Sequence, residues 1–225
     1  MKPRKLAAYS AVFLLIAGCR GADEAPTEDP AGSDSEVAGN ASSARPSEPP
    51  AGGVTPAAPE TGYREEPAPG IDVESALTLR GWKGIRIGEP PGGAARDWGF
   101  ADNGNYTDAC RTWTSTASPG VALMVERLAG ARTPVVTRIT AYSPDAEDVH
   151  SLRGVQVGSS EQAVRAAYPK LEESPHKYAP PPAKDLFWRP DGSDTGLRFE
   201  IGPDGRVGEL HAGIDPSLGY VEGCS

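Results

Sequence analysis

The chain has 225 residues, with 27 Gly and 23 Pro, and its 22 Lys and Arg stand against 31 Asp and Glu for a formal net charge of −9. That length excludes a large multidomain enzyme. The Gly and Pro content is too high for a chain that folds throughout, and the negative charge argues against nucleic acid or anionic head groups as charge-bound partners.

Met1–Lys5 is a short basic segment, and Leu6–Ala17 is an apolar run that includes Val12, Phe13, Leu14, Leu15 and Ile16. At about twelve residues the run is too short for a hydrocarbon core that needs roughly 20. Residues 1–18 therefore read as a secretory leader. The segment Leu15-Ile16-Ala17-Gly18-Cys19 resembles the lipobox of bacterial lipoproteins. That resemblance implies cleavage between Gly18 and Cys19, a diacylglycerol thioether on Cys19, and further acylation, such as palmitate, at the new N-terminus. Small side chains at Ala17 and Gly18 let the backbone enter a peptidase cleft, and two or three acyl chains anchor where one is marginal. The family's sorting rule reads Asp after the Cys as inner-membrane retention. Arg20 stands there, which favours the outer membrane in a cell with two membranes.

Between Arg20 and Pro69 lie nine Pro, six Gly, ten Ala and five Ser, with ten acids against three Arg, a net −7. Low hydropathy with net charge is the composition of a solvated tether, assigned to residues 19–69. Some 50 residues give an r.m.s. reach near 40 Å. Residues 70–225 hold all four Trp, five of seven Tyr and three of four Phe, enough aromatic volume for a packed core.

Within this domain Gly84-Ile85-Arg86-Ile87-Gly88 recurs as Gly154-Val155-Gln156-Val157-Gly158. The first motif leads into a short turn or helix at Ala94–Trp98, then strands at Tyr106–Ser115, Gly120–Arg127 and Pro134–Tyr142. The second leads into a helix capped by Ser159 with Gln162 and stopped by Pro169. Strands follow at His176–Tyr178, Asp185–Arg189, Thr195–Ile201 and Arg206–Gly213, the last three separated by Pro-Asp-Gly turns. The expected fold class is α+β: two pseudo-repeats, about 75–148 and 149–225, each a short helix plus a three- to four-stranded antiparallel meander. This order resembles the tandem-repeat fold of β-lactamase inhibitor proteins and the small lipoproteins of the outer-membrane assembly machinery, over about residues 75–216. No binding residue of either family transfers to positions here.

With Cys19 lipidated, Cys110 and Cys224 remain, and in an oxidising compartment they are expected to pair. The search for catalytic chemistry returns no residue set. Gly158-Ser159-Ser160-Glu161 departs from the nucleophile elbow, and His150, His176 and His211 share no zinc-ligand spacing, so neither a metal nor a cofactor is implied. Glu209 and His211 share one strand face, which suits an ion pair or, for a hydrolase, an acid–base pair. Asp102 to Asn105 with Asp108 reads as an Asx turn rather than a calcium loop. The four Trp read either as core or as a stacking platform for wall material. Tyr178-Ala179-Pro180-Pro181-Pro182 is a stiff loop, with Tyr178, Pro180, Pro181 and Pro182 offering a partner contact or a spacer. The expected partners are the membrane, through the lipid anchor, and an envelope protein or cell-wall component.

Overall fold

Strand-forming sequence dominates residues 65–224, which the computed structural model describes apart from 105, 106, 108, 143 and 147, all within the unit Val54–Ser225. The order is β1 (Gly81–Trp82), β2 (Ile85–Arg86), α1 (Gly93–Asp97), β3 (Phe100–Asp102), β4 (Cys110–Ser115), β5 (Val121–Glu126) and β6 (Val135–Ala141). It continues with α2 (Glu161–Ala167), β7 (Glu172–Pro175), β8 (Lys184–Trp188), β9 (Thr195–Ile201) and β10 (Val207–Ile214). The eight strands β3 to β10 form one antiparallel sheet in the order β3-β4-β5-β6-β10-β9-β8-β7. β1 and β2 are a separate hairpin whose two-residue turn, Lys83-Gly84, has both residues at positive φ, as a type I′ turn requires. A Cβ at Gly81 would lie 1.8 Å from the Ile85 carbonyl oxygen, so only glycine admits this close pairing.

The architecture corrects the α+β expectation of helix-plus-strand repeats: the fold is predominantly β. The two helices have five and seven residues. Gly92-Gly93 opens α1, which buries only Ala95, and α2 buries only Val164 before Pro169 ends it. Neither segment carries enough apolar residues at helical spacing to form a layer. Local corrections follow. Ser160, not Ser159, caps α2, its Oγ accepting from the Ala163 N–H at 3.2 Å. Ser159 Oγ instead accepts from the Gln156 N–H. His176–Tyr178 is loop, since the strand lies earlier at Glu172–Pro175.

Each glycine motif clips to the start of a long strand. Gly88 N–H donates to the Val136 carbonyl and Val136 N–H to that of Glu89, both at 2.8 Å. Gly158 and Val207 make the matching pair, with Val207 N–H donating to the Ser159 carbonyl at 2.9 Å.

Directly opposed residues put Leu123, Ile139, Ala212 and Leu197 on one face, beside Ala141, Leu210, Phe199 and Leu186. All eight are fully buried. Tyr168, at the end of α2, stacks on Trp188 and Phe199 at 4.9 and 5.2 Å. Residues 65–69, assigned by composition to the tether, join this side: Tyr168 Oη donates to Glu65 at 2.9 Å, and Ala68 N–H donates to the Leu152 carbonyl.

The opposite face is covered by the C-terminal segment. Arg138 donates to the carbonyls of Ser217 and Tyr220, and Arg198 to that of Tyr220. A Cβ at Gly213 would lie 2.8 Å from the Thr137 carbonyl oxygen and 3.2 Å from Arg138 Cβ, so glycine there gives Arg138 its room. The Cys110–Cys224 disulfide pins the segment to β4, with the two Cα atoms 5.4 Å apart. Among the described residues no helix is long and apolar enough to cross a membrane.

Candidate functional site

Two places concentrate chemistry. The first is the covered face of the sheet. Strand alternation turns Arg198 and Glu200 of β9, Glu209 and His211 of β10, Asp185 of β8 and Arg138 of β6 away from the apolar core. Arg198, 1% exposed, donates to Glu200 at 2.6 Å and to Asp185 at 3.2 Å. His211, also 1% exposed, has Nδ1 2.9 Å from Thr140 Oγ1 and Nε2 3.2 Å from Glu200. Glu209 lies 3.5 Å from the same Nε2, and His176 Nε2 lies 3.6 Å from the other Glu200 oxygen.

Burial sets the charges of this cluster. It pushes His211 down to about 4 despite the Glu200 hydrogen bond, so the imidazole is neutral at pH 7. It pushes Glu209 up to about 7, with the adjacent Glu200 charge adding to the effect. Burial would raise Glu200 as well, but the His211 hydrogen bond and the charges around it hold its pKa below the usual value. Asp185 is raised by burial against the pull of Arg198, and burial with the charge of Arg198 lowers Arg138 to about 10.

The second place is an open groove of about 540 Å³ beside the β1–β2 hairpin. Trp82 and Trp98 stand 6.1 Å apart, and Lys83 Nζ sits 4.6 and 4.2 Å from their ring centres, a cation–π contact with both rings from one side. Trp98 donates from Nε1 to the Lys83 carbonyl, and Trp82 to that of Ser75. Trp82 belongs to the buried core, Trp98 remains 37% exposed, and Asp72 and Glu74 line the groove. A smaller cleft of about 370 Å³ lies between Trp113 and the Pro90-Pro91 and Pro134 segments.

The residues singled out from sequence fare differently. Gly18 and Cys19 lie outside the described residues. Cys110 and Cys224 are bonded. Tyr178, 61% exposed, and Pro180, Pro181 and Pro182 stand in solvent, with Lys177 Nζ 5.2 Å from the Tyr178 ring. Glu209 and His211 do meet, but His211 is enclosed and the solvent-reaching member is Glu209, so the imidazole is not placed for general-base contact with a substrate. The four Trp do not assemble into one platform; Trp82 and Trp98 pair, while Trp113 and Trp188 pack elsewhere. Asp102 accepts from the Gly104 N–H, an Asx turn, while Asn105 and Asp108 lie outside the described residues.

Sequence reading missed Arg138, Asp185, Arg198 and Glu200. The available signal was Arg198 and Glu200 alternating with Leu197, Phe199 and Ile201, a strand with charge on its second face. Residue spacing also treats His176 and His211 as unrelated, whereas both face Glu200. Compared with known proteins, the chain matches no family model, no curated protein and no solved structure.

Proposed function

We propose that the protein is a lipid-anchored envelope lipoprotein whose domain is a non-catalytic binding module for a cell-wall component. The lipobox-like segment ending at Cys19 supports the anchor. The carrying observation for binding is the open groove whose wall presents the half-exposed Trp98 indole, backed by the buried Trp82 and flanked by Lys83. Indole faces stack on sugar rings. An ammonium on one wall and the carboxylates of Asp72 and Glu74 nearby suit a glycan that carries peptide charges of both signs.

The test is co-sedimentation of the purified full-length protein, in detergent, with insoluble wall glycan. Retention that falls at least tenfold in Trp98→Ala supports the reading. No retention, or retention that Trp98→Ala leaves unchanged, overturns it. The exposure of Tyr178 favours a second reading, contact with an envelope protein through the Tyr178–Pro182 loop. Cross-linking in the envelope that is lost in Tyr178→Ala would support that instead.

A further inference from the structure

We propose that Glu200, Glu209 and His211 form a divalent transition-metal site, with zinc the ion their donors fit best. The three donor atoms lie within 4.8 Å of one another. His211 Nε2 is 3.2 Å from Glu200 Oε1 and 3.5 Å from Glu209 Oε2. Tetrahedral zinc with bonds of roughly 2.0–2.2 Å needs donor separations of about 3.3–3.6 Å. The Glu209 separation falls within that range and the Glu200 separation just below it, so a small side-chain shift lets an ion sit between these groups. An imidazole with two carboxylates is a donor set for zinc rather than for calcium or magnesium.

Three features of the surroundings agree. Thr140 Oγ1 lies 2.9 Å from His211 Nδ1. A metal on Nε2 places the ring proton on Nδ1, and Thr140 accepts it, the outer-shell contact that orients a ligand histidine. Glu209 is 40% exposed at its side chain, which gives the ion an entry path and leaves the fourth position open to water. Finally, the cluster is short of positive charge. Asp185, Glu200, Glu209 and the neighbouring Glu126 are four acids beside two arginines, Arg138 and Arg198, an excess of acidic groups that a bound cation would offset.

The arginines do not occupy the site. Arg138 is held by the Ser217 and Tyr220 carbonyls. Arg198 donates to Glu200 Oε1 at 2.6 Å, the same oxygen that faces His211, and holds Asp185 and the Tyr220 carbonyl as well. The ion therefore takes the lone pair of that oxygen now shared with His211 Nε2. His176 is excluded as a ligand. Its Nδ1 accepts the N–H groups of Tyr178 and Ala179, both at 3.1 Å, so its Nε2 carries the ring proton.

The experiment is calorimetric titration of the chelator-stripped full-length protein with zinc chloride alone. One equivalent is expected to bind, weakened at least tenfold by Glu209→Gln and by His211→Gln, and about 10–100-fold by Thr140→Val. Calcium chloride in hundredfold excess is expected not to displace it. The proposal is overturned if no zinc binds, if uptake is unchanged in Glu209→Gln, or if calcium displaces the ion. Should His211→Gln fail to fold, the partly exposed Glu209 and the Thr140 variant decide the matter.

Discussion

The two faces of the eight-stranded sheet are cut from the same strands and are both buried, yet they are closed by opposite means. On one, Leu197, Phe199, Leu210 and Ile139 meet Tyr168 and Trp188, and removal of apolar surface from water holds the contact. On the other, the next residues along, Arg198, Glu200, His211 and Arg138, meet carboxylates and the carbonyls of the C-terminal segment. Burial is not a proxy for hydrophobicity here. The apolar face takes loss of a neighbour as a cavity, whereas on the polar face removal of one partner strands a buried charge.

The largest effect should come from cutting the covalent link that closes the polar face. Replacing Cys110 and Cys224 together by Ser opens a bridge between residues 114 apart in sequence and is expected to cost about 4–5 kcal/mol on the chain-entropy model. Native-state amide exchange gives the sharper reading. The Ser217–Tyr220 segment should open locally, at less than the global unfolding cost, while Leu197 and Phe199 amides follow global unfolding. Equal acceleration on both faces would mean that the two are one cooperative unit.

Next in size are adjacent substitutions on β9 that act on opposite faces. Phe199→Ala leaves a cavity beside Tyr168 and should cost about 3–5 kcal/mol. Arg198→Ala should cost a similar 3–5 kcal/mol, because Asp185 and Glu200 lose their buried counter-charge. The mechanisms separate in combination. Adding Glu200→Gln to Arg198→Ala should return about 0.5–3 kcal/mol, since the orphaned charge is gone. No second truncation should rescue Phe199→Ala. Strict additivity of the Arg198 and Glu200 changes in urea unfolding would remove the ionic account of this face.

The contrast also marks what was legible in the sequence. Long strands with period-two apolar residues declared themselves; Thr195–Ile201 is found where alternation places it, and the loop-forming Pro-Asp-Gly segments separate the expected neighbours. The fold class was misread because the short helices expected at Ala94 and after Ser159 were counted as repeat units beside separate meanders, whereas the strands join one eight-stranded sheet. Each helix proved one or two turns long, with a single buried residue. Glu209 and His211 were visible as a pair because they share one strand. Glu200, Arg198 and Arg138 come from other strands, and strand register, which no short motif encodes, is what brings them to the same spot. Nothing in the last ten residues announces that Ser217–Cys224 folds back over the charged side of β9.

Glu65 supplies the smallest and most selective test, because it carries a carboxylate onto the otherwise apolar side. Tyr168 Oη donates to its Oε1, Arg153 Nε stands 3.8 Å away, and its Oε2 is buried with no hydrogen-bond partner. Burial raises its pKa above the ordinary value, against the opposing Tyr168 hydrogen bond and the Arg153 charge. A raised folded-state pKa means that the folded protein holds this proton where the unfolded chain has released it. The group's contribution is therefore fully present below the ordinary glutamate range and is lost as pH rises through the folded value. Glu65→Gln keeps an acceptor for Tyr168 but removes the charge. Wild type should accordingly lose stability relative to Glu65→Gln as pH rises from 4 towards neutrality, read from urea midpoints at each pH. If the difference runs the other way, Arg153 outweighs burial at this position. The apolar side would then manage charge by pairing, as the polar face does.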